Sequence, residues 1–75
     1  MKFLVEFGFG ENVEQVQEWQ TIDGLDKVEA DSAEEAAECG ANTDGLEEAL
    51  FRVWRLVENE FGKLEKNGKA EYFSF

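Results

Sequence analysis

The sequence predicts a single α+β domain, built from a small antiparallel sheet of four to five strands with one or two helices packed on one face. A chain of 75 residues has room for one domain, residues 1–75. Its first segment alternates apolar residues as a strand does, and a later alanine-rich segment carries helix signals. Two pairs, Asp-Gly and Asn-Gly, mark tight turns between extended runs, which is typical of antiparallel strands.

The N-terminal segment "KFLVEFGF" predicts the first strand. Because successive side chains of a strand point to opposite faces, Phe3, Val5, Phe7 and Phe9 share one face of it. We expect that face to be buried. The following "GEN" predicts a turn.

The next segment, "VEQVQEWQTI", fits either a helix or a strand. Val13 and Trp19 share a helical face, but an Asp-Gly pair, Asp23 and Gly24, follows directly. That pair is a strong hairpin signal, because both central positions of a two-residue hairpin turn need positive φ. We therefore predict a strand from Gln17 onward, with "LDKVEA" as the returning strand of a hairpin.

The segment "ADSAEEAAECG" predicts a helix. Ser32 is a good N-cap, and Glu35 follows at the position that completes a capping box. Small residues occupy the face that we expect to lie against the sheet: Ala33, Ala36, Ala37 and Gly40. Acids at i, i+3, i+4 and i+7 occupy the opposite face: Asp31, Glu34, Glu35 and Glu38.

The segment "LEEALFRVWRLVENEF" is open to both interpretations. A clean apolar stripe at helical spacing favours a helix that ends at Gly62: Leu46, Leu50, Val53, Trp54, Val57 and Phe61. As a strand, "FRVWRLV" places Phe51 and Val53 on one face and Trp54 and Leu56 on the other, which is also acceptable. The tail "KLEKNGKAEYFSF" contains an Asn-Gly pair that predicts a second hairpin, followed by an aromatic terminal strand.

The order of elements adds a resemblance. The layout resembles that of a group of very small domains carried by phages and plasmids, several anti-CRISPR proteins among them. In this chain it consists of strands, the helix of "VEADSAEEAAE", the segment "RVWRLVE" and a terminal aromatic strand. The resemblance covers most of the chain from Val28 onward. It implies a strand for residues 51–58, against the helical periodicity. It carries over no functional residue, because these domains share a layout and not a site.

The charge is large and unevenly distributed. The net charge is −11, and residues 1–48 hold 14 acids and 2 lysines, whereas residues 49–75 hold 4 acids and 5 bases. Phosphate groups would be repelled by the acidic part, so we expect neither direct binding to nucleic acid nor binding to an anionic membrane. No apolar run reaches the eighteen or so residues that a membrane span needs. A basic protein surface is the natural partner.

The chain offers few groups for catalysis or for a cofactor. It has no histidine, and its one cysteine, Cys39, is surrounded by carboxylates that disfavour the thiolate. Neither Asp-Gly site fits the calcium-binding EF-hand loop, because the loop's first and last positions would fall on residues without carboxylates. We therefore expect that the protein is not an enzyme and that it binds neither a metal nor a cofactor. A single thiol without a disulfide partner indicates a reducing cytoplasm.

These observations favour a small acidic binding protein that inhibits or regulates a nucleic-acid-binding complex, such as a phage-encoded inhibitor of the anti-CRISPR type. The expected contact surface is the helix face extended by the preceding segment: Asp23, Asp26, Glu29, Asp31, Glu34, Glu35 and Glu38. The alternative is a non-catalytic accessory domain, or a homodimerisation domain, whose acidic residues only confer solubility.

Overall fold

A computed structural model describes residues 1–75 and confirms the α+β fold, with one helix on one face of a five-stranded antiparallel sheet. The strands are β1 (Lys2–Gly8), β2 (Gln20–Thr21), β3 (Val28–Glu29), β4 (Leu50–Glu58) and β5 (Leu64–Ser74), and the helix is α1 (Ala33–Ala41). A short 3-10 turn, Val13–Gln15, lies between β1 and β2. The sheet order is β2-β1-β4-β5, and β3 also pairs with β1.

The Asp23-Gly24 hairpin prediction is wrong. Both β2 and β3 pair antiparallel with β1, so they run in the same direction along one edge and do not pair with each other. Between them the Leu25 carbonyl accepts a hydrogen bond of 3.0 Å from the Val5 N–H, which continues the edge. Gly24 has φ +85°, but no other residue type has positive φ, so a type I′ turn does not form. Asp23 and Gly24 instead lie in a turn between β2 and β3, two segments that both pair with the same edge of β1.

The predicted strand from Gln17 is also shorter than expected. Only Gln20 and Thr21 are strand residues, and the earlier part of the segment forms the 3-10 turn. The Asn12 side chain caps that turn by accepting hydrogen bonds from the N–H groups of Glu14 and Gln15. This stretch lies outside the sheet.

The segment that was open to both interpretations forms a strand, β4, so the strand prediction for residues 51–58 is confirmed. The apolar stripe at helical spacing is not the face of a helix. Phe51 and Val53 are buried in the core, whereas Arg52 and Trp54 point to the other side of the sheet. The stripe is therefore divided between both faces of a strand rich in β-branched and aromatic residues, which pack well on a pleated surface.

The hairpin between β4 and β5 lies earlier than the Asn-Gly pair, so that hairpin prediction is wrong as well. Its turn is closed by the Asn59 N–H, which donates to the Lys63 carbonyl at 2.7 Å, and Gly62 supplies a φ of +77°. Asn67 and Gly68 lie inside β5. The register of β5 with β4 shifts there, between the residues that pair with Val53 and with Arg55. Gly68, with φ +75°, accommodates the resulting bulge.

The helix lies on the face of the sheet that carries Phe3 and Val5, as predicted. Its inner residues are all buried: Ala33, Ala36, Ala37 and Gly40. Gly40 permits the close approach, because a Cβ there would lie 2.7 Å from the Phe51 ring. Phe9, predicted to be buried with Phe3, lies beyond the end of β1 and is exposed.

Candidate binding surfaces

The seven carboxylates predicted to form a contact surface are all exposed. Three of them, Glu34, Glu35 and Glu38, project from α1 on the side away from the sheet, since the residues between them are buried. Ser32 fixes where the helix begins: its Oγ accepts a hydrogen bond of 3.1 Å from the Glu35 N–H. Asp31 therefore precedes the N-cap and is not part of the helical stripe, so that stripe holds three acids and not four.

The other three acids lie along the sheet edge that precedes α1. Asp23 is in the turn after β2, Asp26 is in the loop that follows, and Glu29 is in β3. Glu29 differs from the rest because its Oε1 accepts a hydrogen bond of 2.9 Å from the N-terminal ammonium of Met1. That hydrogen bond and the ammonium charge lower the pKa of Glu29.

The chain does little to neutralise these acids. It contains two ion pairs, one between Glu29 and the N-terminus and one between Glu6 and Arg52. Six of the seven predicted contact carboxylates therefore have no cationic partner within the protein. Five of the seven basic residues lie in the β4–β5 hairpin, on the later third of the chain. Apart from Glu29, the acids of α1 and of the preceding edge therefore form no ion pair within the protein and face solvent.

A second surface, which the sequence did not reveal, lies on the face of the sheet opposite α1. Its centre is Glu6, only 6% exposed, whose Oε1 accepts hydrogen bonds from Arg52 Nε and from Trp54 Nε1, each at 2.7 Å. Burial alone would raise the pKa of Glu6, but these two hydrogen bonds and the charges of Arg52 and Lys66 together hold it below its usual value. In the sequence Glu6 is only the polar residue of an alternating strand.

Aromatic and cationic side chains alternate around this carboxylate. The Arg52 guanidinium carbon lies 5.1 Å from the Trp19 ring centre and 5.5 Å from that of Trp54, while Lys66 Nζ lies 4.7 Å from the Trp54 ring centre. The Trp19 and Tyr72 rings are 5.7 Å apart. Cations at these distances are attracted to aromatic rings. We name this group the cation–aromatic face: Glu6, Trp19, Arg52, Trp54, Lys66 and Tyr72.

Gly8 brings Trp19 onto the cation–aromatic face. A Cβ at Gly8 would collide with the Val16 side chain and would lie 3.3 Å from the Trp19 ring. The absence of a side chain therefore lets the segment before β2 lie directly on the end of β1. No signal in the sequence pairs Gly8 with Trp19, because the contact depends on the path of the intervening loop.

An open groove of about 280 Å³ lies at the end of the sheet where β5 finishes. It is lined by Glu11, Asn12, Val13, Leu50, Tyr72, Phe73 and Ser74. The structure contains no group of three His, Cys, Asp or Glu residues that could hold a metal ion. Cys39 is exposed on α1, where its thiol lies 3.7 Å from the Glu35 carbonyl oxygen.

No protein-family model, no curated protein and no solved structure matches this chain. None of its helices combines the length and the apolar character that a membrane-spanning helix requires.

Proposed function

We propose that this chain is a non-catalytic binding protein that inhibits or regulates a nucleic-acid-binding complex by placing its carboxylates on a basic surface of that complex. The observation that supports this most is the lack of internal neutralisation: the predicted contact acids are exposed, and all but Glu29 lack a cationic partner. Opposite charges on two surfaces speed their encounter and set their orientation.

The spacing of the helical acids supports the same function. Glu34, Glu35 and Glu38 fall within about 6 Å along the helix axis, at about 1.5 Å per residue. Duplex DNA carries about one charge per 1.7 Å of its axis. The number of charges per unit length along α1 is therefore similar to that along duplex DNA. For this reason a groove of lysines and arginines that holds nucleic acid would also attract α1. The sequence resemblance favours a phage-encoded inhibitor of the anti-CRISPR type, which would meet its target in the cytoplasm.

A second candidate is an accessory or homodimerisation domain whose acids only confer solubility. The edge of β5 favours it, because no backbone hydrogen bond joins the outer side of that strand to another part of the chain. Tyr72 and Phe75 are also about half exposed there. Lys66, Lys69 and the bulge at Gly68 oppose pairing of this edge, since charges and bulges are the usual protection of edge strands. For that reason we place this candidate second.

The test is affinity capture from nuclease-treated lysate, followed by mass spectrometry. Wild-type protein is compared with two double variants: Glu34→Lys with Glu38→Lys on α1, and Glu14→Lys with Glu60→Lys, which are exposed acids outside the proposed surface. Both variants carry the same net charge, because each reversal adds two positive units. The proposal requires a nucleic-acid-binding protein that the wild type and the second variant recover and the α1 variant does not. Recovery of the chain's own copies alone favours the homodimerisation domain.

A further inference from the structure

The cation–aromatic face is an ordered surface that the acid-mediated function does not use. Residues directly opposite each other in a sheet share a face. Three opposite pairs of β1 and β4 therefore lie on the side of the sheet away from α1: Glu6 with Arg52, Leu4 with Trp54, and Lys2 with Leu56. α1 packs on the other side of the sheet and does not cover this one.

The charge of this side differs from that of the rest of the protein. Its cations are Lys2, Arg52 and Lys66, and its acids are Glu6, Glu58 and Glu29, which stands opposite Lys2. Glu6 is buried and paired with Arg52, and Glu29 is paired with the N-terminal ammonium, so these two acids contribute little negative field to solvent. In a chain with a net charge of −11, this is a locally cationic surface.

The arrangement is also held in place before any ligand arrives. Glu6 receives Nε of Arg52 and Nε1 of Trp54, so a single buried carboxylate fixes both side chains. Arg52 nevertheless keeps 22% of its side chain exposed, and Tyr72 keeps 49% of its surface exposed. Side chains that are ordered in advance lose less entropy when a partner binds. Trp, Tyr and Arg are also the residues that contribute most to protein–protein binding energy.

We propose that the cation–aromatic face binds an acidic protein segment in which a carboxylate stands beside an aromatic or aliphatic side chain. The carboxylate lies between Arg52 and Lys66, where both cations attract it. The apolar side chain packs on the exposed parts of Trp54 and Tyr72. This surface faces away from α1, so one molecule can use it while α1 occupies a basic partner.

The charge of the chain favours a protein segment over a nucleic acid. A nucleic acid brings one phosphate per nucleotide, and its affinity depends on several lysines and arginines neutralising them. This side of the sheet has only three cations, Lys2, Arg52 and Lys66, and the other faces of the molecule repel a long polyanion. A segment with one or two carboxylates needs no more cations than these.

The test uses the full chain and a defined probe, the blocked tripeptide Glu-Phe-Glu. Both tryptophans of the chain belong to this face, so their two indole N–H resonances in an NMR titration report on it alone. We expect saturable shifts of both resonances with Glu-Phe-Glu and no saturable shift with Gln-Phe-Gln. Lys66→Glu should raise the dissociation constant by about tenfold, which corresponds to about 1.4 kcal/mol.

Arg55→Glu is the matched control, because Arg55 is an exposed cation that lies opposite Phe3 on the helix side of the same sheet. It should leave the dissociation constant within about twofold, since it changes the net charge equally but not the face. The α1 double reversal should bind the probe at least as tightly as wild type, which separates this proposal from the acid-mediated one. The proposal fails if Glu-Phe-Glu gives no saturable shift or if Lys66→Glu and Arg55→Glu behave alike. Tighter, Lys66-dependent binding of oligothymidylate would assign the face to nucleic acid instead.

Discussion

Glu6 and Arg52 stand directly opposite each other in the pairing of β1 with β4, and Arg52 Nε donates to the Glu6 carboxylate at 2.7 Å. Trp54 Nε1 donates to the same oxygen at the same distance. A buried carboxylate is unfavourable unless it is paired and hydrogen-bonded, and Glu6 satisfies both conditions. The pair joins two residues that are 46 positions apart in the sequence, and it orders the face of the sheet that α1 leaves open.

Glu6→Gln should destabilise the protein at neutral pH by about 1–3 kcal/mol, because it removes the charge that pairs with the partly buried Arg52. The measurement is the free energy of unfolding by denaturant titration. The indole N–H resonance of Trp54 should shift in the same variant, whereas a loss of stability without that shift would show that Glu6 does not hold Trp54.

The same variant reports the pKa of Glu6. Because the folded protein lowers that pKa, the carboxylate stabilises the fold above the ordinary glutamate pKa of about 4.3. This contribution is lost as the pH falls through the lower pKa of the folded state. The difference in unfolding free energy between wild type and Glu6→Gln should therefore be constant near neutral pH and shrink in acid. A difference that grows in acid would contradict the assignment.

Gly40→Ala should destabilise the packing of α1 on the sheet. A Cβ at this position would lie 2.7 and 2.8 Å from two carbons of the Phe51 ring, and Phe51 is fully buried. Overpacking of this kind costs about 1–3 kcal/mol. It exceeds the roughly 0.5–1 kcal/mol that alanine gains over glycine inside a helix. The melting temperature should fall for Gly40→Ala and stay nearly unchanged for Cys39→Ala on the exposed side.

Gly24→Val should destabilise the turn between β2 and β3 by about 1–2 kcal/mol, the usual cost of a left-handed backbone for a residue with a Cβ. No atom lies within 4 Å of the position that a Cβ would take, so the cost arises from the backbone alone. Gly24→Asn should cost less, because asparagine tolerates positive φ. Equal melting temperatures for Gly24→Val and wild type would be incompatible with the φ of +85° at this residue.

Asn59→Ala should loosen the turn between β4 and β5. The Asn59 Oδ1 accepts hydrogen bonds from the N–H groups of Phe61 and Lys63, at 2.9 and 3.0 Å, and its Nδ2 donates to Glu65. The loss should be about 1–2 kcal/mol in a denaturant titration. Asn67→Ala is the control, because the Asn67 side chain makes no hydrogen bond within the protein and its loss should cost less than about 0.5 kcal/mol.

Local signals in the sequence were enough to predict the helix and the first strand. Ser32 and the buried alanines define α1, and the alternation of Phe3 and Val5 defines the inner face of β1. These features depend on neighbours within a few positions, where capping and periodicity act. The strand at residues 51–58 was favoured by the resemblance and not by its periodicity, because its apolar residues serve both faces of the sheet.

Features that depend on distant partners could not be predicted. The Asp23-Gly24 signal is real as a turn, but β1 offers one edge to the segments on both sides of it, and only the tertiary fold decides that pairing. The cation–aromatic face needs Glu6 beside Arg52 and Trp54, which the register of β1 with β4 brings together. Of the acidic surface, the sequence predicted the exposure correctly but included Asp31 in a helix that begins after it.

The most direct test of the acidic surface is the affinity for the captured partner, measured at rising salt. Wild-type affinity should fall steeply between about 50 and 200 mM salt, because salt screens exposed charge pairs. The Glu34→Lys, Glu38→Lys variant should lose binding while its melting curve shows a folded protein, and the Glu14→Lys, Glu60→Lys variant should bind with the wild-type salt response. If the α1 variant binds as tightly as wild type, with the same salt response, then α1 is only a solvated surface and the proposed function is wrong.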